Sequence, residues 1–138
     1  MINSKKKGEI AEAFVAAKFL EKGWTVLKPL GDNDRYDFVV DRGRGFERVQ
    51  VKSNWNNSID DKVTFSLRSI RVNKNKNVSK TYHDEIDLMA FYCASRKEVY
   101  LLEFNMLKHL KSNITIRIMH TANHPNKDLS FYSKDYVM

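Results

Sequence analysis

Apolar and polar residues alternate through Tyr36-Asp-Phe-Val-Val and again through Phe46-Glu-Arg-Val-Gln-Val-Lys, and the link between the two runs carries Gly43 and Gly45. Period-two alternation on both sides of a glycine-bearing link predicts a β-hairpin, with strands over about 36–41 and 46–52. Successive strand side chains point to opposite faces, so Gln50 and Lys52 share one face while Val49 and Val51 share the other. Asp37 opens the first strand, and pairing across the turn sets it beside Gln50 and Lys52. An acid, an amide and an amine then converge.

Upstream, Ile10, Phe14, Ala17 and Leu20 or Phe19 recur at three- and four-residue steps. They predict a helix over 5–22 with Ser4 as N-cap and Gly23 as its end. Trp24–Lys28 reads as a strand, and Pro29 with Gly31-Asp-Asn-Asp as a loop in which Asp32 and Asp34 form turns. Downstream, Val63–Leu67 alternates as a strand, and Arg68–Lys80 is a basic, Asn-rich arm or β-ribbon. A buried strand over 86–93, a turn at Ala94–Lys97 and a strand over 98–104 extend the sheet. Asn105 caps a short helix, Met106–Leu110, and Ile114–Ile118 is a further strand. The aromatic tail from Asn126 packs on the sheet or on a second subunit. Residues 1–138 then form one α/β domain, with a basic arm at about 62–82.

Composition narrows the function. A 138-residue chain with 42% hydrophobic residues is long enough for a core without disulfides. No apolar run approaches the roughly 18–20 residues of a membrane span, and the lysine-rich start leads into a helix bearing Glu9 and Glu12, so a cytoplasmic protein with no membrane partner is expected. Cys93, the single cysteine, lies in an apolar stretch and reads as a buried thiol. His120 and His124 have helical metal spacing, but Pro125 follows at once, so a metal site there is not expected. The net charge is +7, and from Lys62 to Tyr82 six basic residues (Lys62, Arg68, Arg71, Lys74, Lys76, Lys80) occur with no acid. Such a segment attracts a polyanion.

The cluster at the hairpin suits phosphodiester cleavage. A nucleophile approaches an anionic phosphate only when charge is screened and water is activated; a carboxylate holds a divalent cation for this, and a lysine stabilises developing charge. Asp60-Asp61-Lys62 carries a similar spacing but sits in a polar loop. In the hairpin context, Asp37, Gln50 and Lys52 resemble the motif of the PD-(D/E)XK nuclease superfamily. Gln50 stands where most members have an acid and Tyr36 where many have proline, and Gln50 brings a carbonyl oxygen without the charge.

The resemblance implies a restriction-endonuclease-like fold, a mixed central sheet flanked by helices. It implies a metal shell of Asp37, the Gln50 and Val51 carbonyls and Glu12, with Lys52 activating water and a 5′-phosphate product. Glu12 follows Gly8 by four residues, as an acid does in the similar archaeal Holliday-junction resolvases; Glu9 is the runner-up. Mg²⁺ is the implied cofactor, with Mn²⁺ substituting, and double-stranded DNA the substrate. Two cuts per duplex imply a homodimer or homotetramer. The small domain, the Gln-x-Lys form and the basic arm resemble intron-encoded homing endonucleases, against a resolvase or an inactive DNA-binding protein of the same fold. Arg68, Arg71, Asn73 and Asn75 are candidates for reading bases, with Lys62, Lys74, Lys76 and Lys80 as further DNA contacts. Trp55 either packs at the core edge or stacks on a base, and packing is preferred.

Overall fold

Helix α1 runs over Ser4–Glu21 in the computed structural model, which describes residues 1–57, 61–73, 76–80, 84–118 and 131–138, with only the backbone for 69–73 and 76–80. Its N-cap is Asn3 rather than Ser4: Asn3 is extended, and its side chain accepts from the Lys6 amide at 2.9 Å. The buried stripe is Ala11, Val15 and Phe19, with Ile10 and Phe14 at its flank and Leu20 exposed. The apolar arc of α1 is wide, so spacing alone left its centre open. Stacking of Phe14 on Tyr92 at 4.6 Å and a tilted contact of Phe19 with Trp24 at 5.4 Å decide it.

The strands follow in chain order: β1 Thr25–Leu27, β2 Phe38–Asp41, β3 Phe46–Asn54, β4 Lys62–Ser66, β5 Ser69–Asn73, β6 Lys76–Lys80, β7 Leu88–Cys93, β8 Glu98–Glu103, β9 Asn113–Arg117 and β10 Phe131–Tyr132. The central sheet has the order β1-β2-β3-β7-β8. It is mixed, because β3 and β7 are parallel while the other neighbours are antiparallel. A parallel pair needs a crossover, and here it contains β4 and a two-stranded ribbon of β5 and β6.

The β2–β3 turn needs both of its glycines, since Gly43 and Gly45 have φ of 89° and 102°. Arg42 grips Glu47 with two hydrogen bonds of 2.8 and 2.7 Å beside that turn. β2 is shorter than its alternation implies. Tyr36 and Asp37 lie before it, and β3 runs on to Asn54 because β7 pairs with it that far, Asn54 against Cys93.

Alternation along the sheet separates two cores. Val40, Val49, Val51, Leu88, Ala90 and Val99 pack under α1. Met89, Phe91, Cys93, Tyr100 and Leu102 pack on the opposite face against Phe65, Leu67, Ile114 and Ile116 of the β4, β9 layer. That second layer is ordered β10-β9-β4. Lys62 opens β4 opposite Arg117, so it belongs to this layer and not to the ribbon.

The expected helix at Met106–Leu110 is instead a 3₁₀ turn, Phe104–Leu107, with Glu103 at its N-cap position and no side-chain cap from Asn105. Phe104 and Leu107 are both buried, and three-per-turn geometry stacks residues at that spacing on one side. The tail packs on its own chain: β10 runs parallel to β9, α2 (Ser133–Tyr136) follows, and Val137 bridges Tyr100 while the Met138 amide donates to Val99 at 2.9 Å. Cys93 is buried as expected. His120, His124 and Asn126 lie outside the described residues. Among the described residues no helix is long and apolar enough to cross a membrane.

Candidate active site

The site lies where β2 ends and β3 continues. Phe38 is the first paired residue of β2, opposite Val49. One position earlier, the Asp37 amide still donates to the Val49 carbonyl at 2.8 Å. Beyond that, β3 has no main-chain partner from β2, and the Asp37 carboxylate takes over: its Oδ2 accepts the Val51 N–H at 2.8 Å. A side-chain acceptor thereby replaces the missing strand and satisfies an amide that would otherwise be orphaned.

Gln50 and Lys52 point away from α1, as alternation requires, and they sit in register with Met89 and Phe91 of the second core. That apolar neighbourhood explains the electrostatics. Burial pushes the Asp37 carboxyl up to about 6, a rise opposed by the Val51 hydrogen bond and reinforced by the charge of Glu12. Burial likewise pulls the Lys52 amine down to about 8, with Asp37 opposing and Arg35 assisting. Lys52 Nζ donates to the Arg68 carbonyl at 2.8 Å. Gln50 Nε2 donates to the Val51 carbonyl at 3.1 Å, which orients the amide plane.

Glu12 reaches the same region from α1, where Lys28 Nζ holds its Oε2 at 3.1 Å. Glu9 pairs with Lys6 at 3.1 Å. Lys28 and Arg35 are site residues that sequence reasoning missed. Lys28 lies 5.7 Å from the Phe38 ring centroid, and its charge also acts on Asp37. Arg35 is nearly buried and pairs with Glu85 at 2.7 Å. Spacing to the motif gave no signal for either.

The donors available to an ion are all oxygens: the Asp37 and Glu12 carboxylates, the Val51 carbonyl and Gln50 Oε1. Such a set suits a hard divalent cation like Mg²⁺. Among the described residues no group of three or more His, Cys, Asp or Glu forms, so an ion here would rely on two acids supplemented by neutral carbonyls. The raised Asp37 carboxyl fits this, since a cation would relieve the charge that burial and Glu12 disfavour.

The basic candidates separate into three places. Arg71 and Asn73 are in β5, Lys76 and Lys80 in β6, and the register sets Asn73 against Lys76 and Ser69 against Lys80. Lys74 and Asn75 lie outside the described residues, as does Asp60. Arg68 sits in the link between β4 and the ribbon, beside Lys52. Trp55 packs: its indole N–H donates to Ser53 at 3.0 Å and its ring meets Tyr92 edge-on at 5.9 Å. Asp87, the residue before β7, is engaged by Arg48 through the main-chain amide at 2.7 Å and the side chain at 3.0 Å.

A family profile described as PD-(D/E)XK endonuclease matches residues 2–136. Among solved structures, a bacterial homing endonuclease, I-Ssp6803I, is similar with a TM-score of 0.77 and 28% identity, over 99% of this chain and 89% of that one. The Holliday junction resolvase Hjc of the archaeal hyperthermophile Archaeoglobus fulgidus is similar in fold, with a TM-score of 0.50 and 16% identity over 80% and 84% of the two chains. No curated protein matches the chain. The mixed sheet with its helix is the restriction-endonuclease-like arrangement expected from the motif.

Proposed function

This chain belongs to the PD-(D/E)XK endonuclease family, and from that premise we propose that it is a Mg²⁺-dependent, site-specific double-stranded DNA endonuclease of the homing type, with Mn²⁺ able to substitute. One observation carries the reading: Asp37, Gln50 and Lys52 occupy the edge where β2 leaves β3, and the link to the β5–β6 ribbon touches the same lysine. The likeness to a homing endonuclease over 99% of this chain supports the finer choice.

Asp37, the Val51 carbonyl, Gln50 Oε1 and Glu12 would hold the cation. When bound, it screens the scissile phosphate and lowers the pKa of its water. Lys52 orients the attacking water and stabilises charge that develops on the phosphate; its amine, drawn down to about 8, exchanges a proton near neutral pH. Asp37 must be ionised to hold the ion, so the cation competes there with the proton that burial favours. The ribbon, with Arg71, Asn73, Lys76 and Lys80, lies along a DNA groove, where an extended pair of strands fits. A homodimer or homotetramer delivers the two cuts.

Cleavage of a randomised plasmid library with Mg²⁺, followed by sequencing of the ends, tests this. Cuts at one recurrent duplex sequence, lost in Asp37→Ala, are expected. Cutting confined to four-way junctions would replace the homing reading with a resolvase. Binding without nicking in Mg²⁺ or Mn²⁺ would leave a DNA-binding protein of this fold.

A further inference from the structure

Lys52 and Asn54 stand two apart on one face of β3, and both donate to main-chain carbonyls of the crossover. Asn54 Nδ2 reaches Thr64 at 2.7 Å and Lys52 Nζ reaches Arg68 at 2.8 Å. The chain up to Arg68 is held firmly: β4 is paired with β9, Leu67 is buried and its amide donates to Ser112 at 2.8 Å, and the Arg68 amide donates to Ser66 Oγ at 3.3 Å. From Ser69 onward, β5 and β6 pair only with each other among the described residues. Arg68 is therefore the hinge of the ribbon. Its Nε is buried and, among the described residues, makes no hydrogen bond. A guanidinium N–H without an acceptor calls for one, and a phosphate oxygen that reaches it as the ribbon seats on a duplex would suit it in charge and geometry.

We propose that Arg68 is a positioning residue that links DNA binding to the site: its guanidinium takes a backbone phosphate while its main-chain carbonyl fixes Lys52. This rests on the endonuclease reading above and changes the role expected of Arg68 from reading a base to contacting the backbone. Seating of the ribbon and placement of the lysine then become one event. A duplex that does not seat the ribbon leaves Lys52 poorly placed, so binding selectivity is converted into cleavage selectivity.

Two variants separate the arms. Arg68→Ala removes the guanidinium and keeps the carbonyl. A single glycine inserted between Arg68 and Ser69 keeps the guanidinium and loosens the peptide that holds Lys52. The readouts are duplex affinity against salt on a random-sequence duplex, single-turnover cleavage of the library-selected duplex, and Lys52 acetylation by acetic anhydride followed by mass spectrometry. Arg68→Ala should lower the salt slope by about 0.9, the value of one phosphate contact, with the cleaved sequence unchanged. The insertion should leave affinity near that of the parent, lower the single-turnover rate by about 100-fold, and raise Lys52 acetylation several-fold. If circular dichroism shows the insertion unfolded, Ser69→Gly, which keeps the guanidinium and frees the same hinge without lengthening it, takes its place.

An unchanged acetylation rate and an unchanged single-turnover rate in the hinge variant would overturn the proposal, as would an unchanged salt slope in Arg68→Ala. A parent protein that cuts no DNA, yet shows the acetylation rise and the altered slope, would remove the endonuclease reading and keep the Arg68 link.

Discussion

Val49 and Val51 on one side of β3 and Gln50 and Lys52 on the other come from the same four residues of chain, yet they do opposite things for the fold. The valines are buried under α1 with Phe19 and Leu88, where burial of apolar surface stabilises the native state by about 1.5–3 kcal/mol per side chain. The polar pair lies in register with Met89 and Phe91, where the same exclusion of water disfavours charge. Asp37 and Lys52 are both shifted toward their neutral forms, with burial the leading cause. One face is built for stability, and the other holds groups in states that the fold alone would not choose.

Breaking the helix side should give the largest effect. Phe19→Ala removes a fully buried ring and should lower unfolding free energy by about 3–5 kcal/mol in urea titration; a loss below about 1 kcal/mol would refute the packing contrast. On the polar side, Lys52→Met should reduce single-turnover cleavage at least about 100-fold with duplex binding kept. The same change should stabilise the protein. Because the folded amine sits near 8 against 10.5 when exposed, that gain is full below pH 8 and fades as pH climbs toward 10.5.

Asp37→Asn sharpens the comparison, since it should abolish activity while raising stability by about 1–3 kcal/mol at pH 7. The folded carboxyl is raised to about 6 from 3.8, so its ionised form weakens the fold above pH 6, and the advantage of Asn disappears as pH falls toward 4. Thermal melts at pH 7.5 and 4 measure this directly, and equal gains at both would contradict it. The smallest change is Gln50→Glu. A third negative group beside Asp37 should cost about 1 kcal/mol of stability without cation and tighten Ca²⁺ binding in calorimetry; weaker binding would remove Gln50 from the donor set.

The polar cluster was legible because it is local. A glycine turn fixes β2 against β3, and alternation then assigns faces to Asp37, Gln50 and Lys52 within a span of sixteen positions. Lys28 escaped because its place depends on β1 pairing with β2, Leu27 against Val39, and nothing near Lys28 announces that. The hold of Arg68 on Lys52 uses a main-chain carbonyl, a group every residue carries, so residue type has no signature for it. The reading of α1 missed its centre for a related reason: a helix apolar over a wide arc is oriented by its tertiary partners, here Tyr92 and Trp24. The Met106–Leu110 helix failed because Phe104 and Leu107 are drawn into the core and impose a tighter turn.

The closing residues bear on assembly. With Val137 bridging Tyr100 and the Met138 amide bonded to Val99, the outer rim of β8 is occupied at those two residues, and the opposite rim is the three-residue β1. Open rims invite strand addition from other chains; this sheet offers little length for it. Strand addition to this central sheet is therefore disfavoured, and a partner copy, if one docks, would meet another part of the surface.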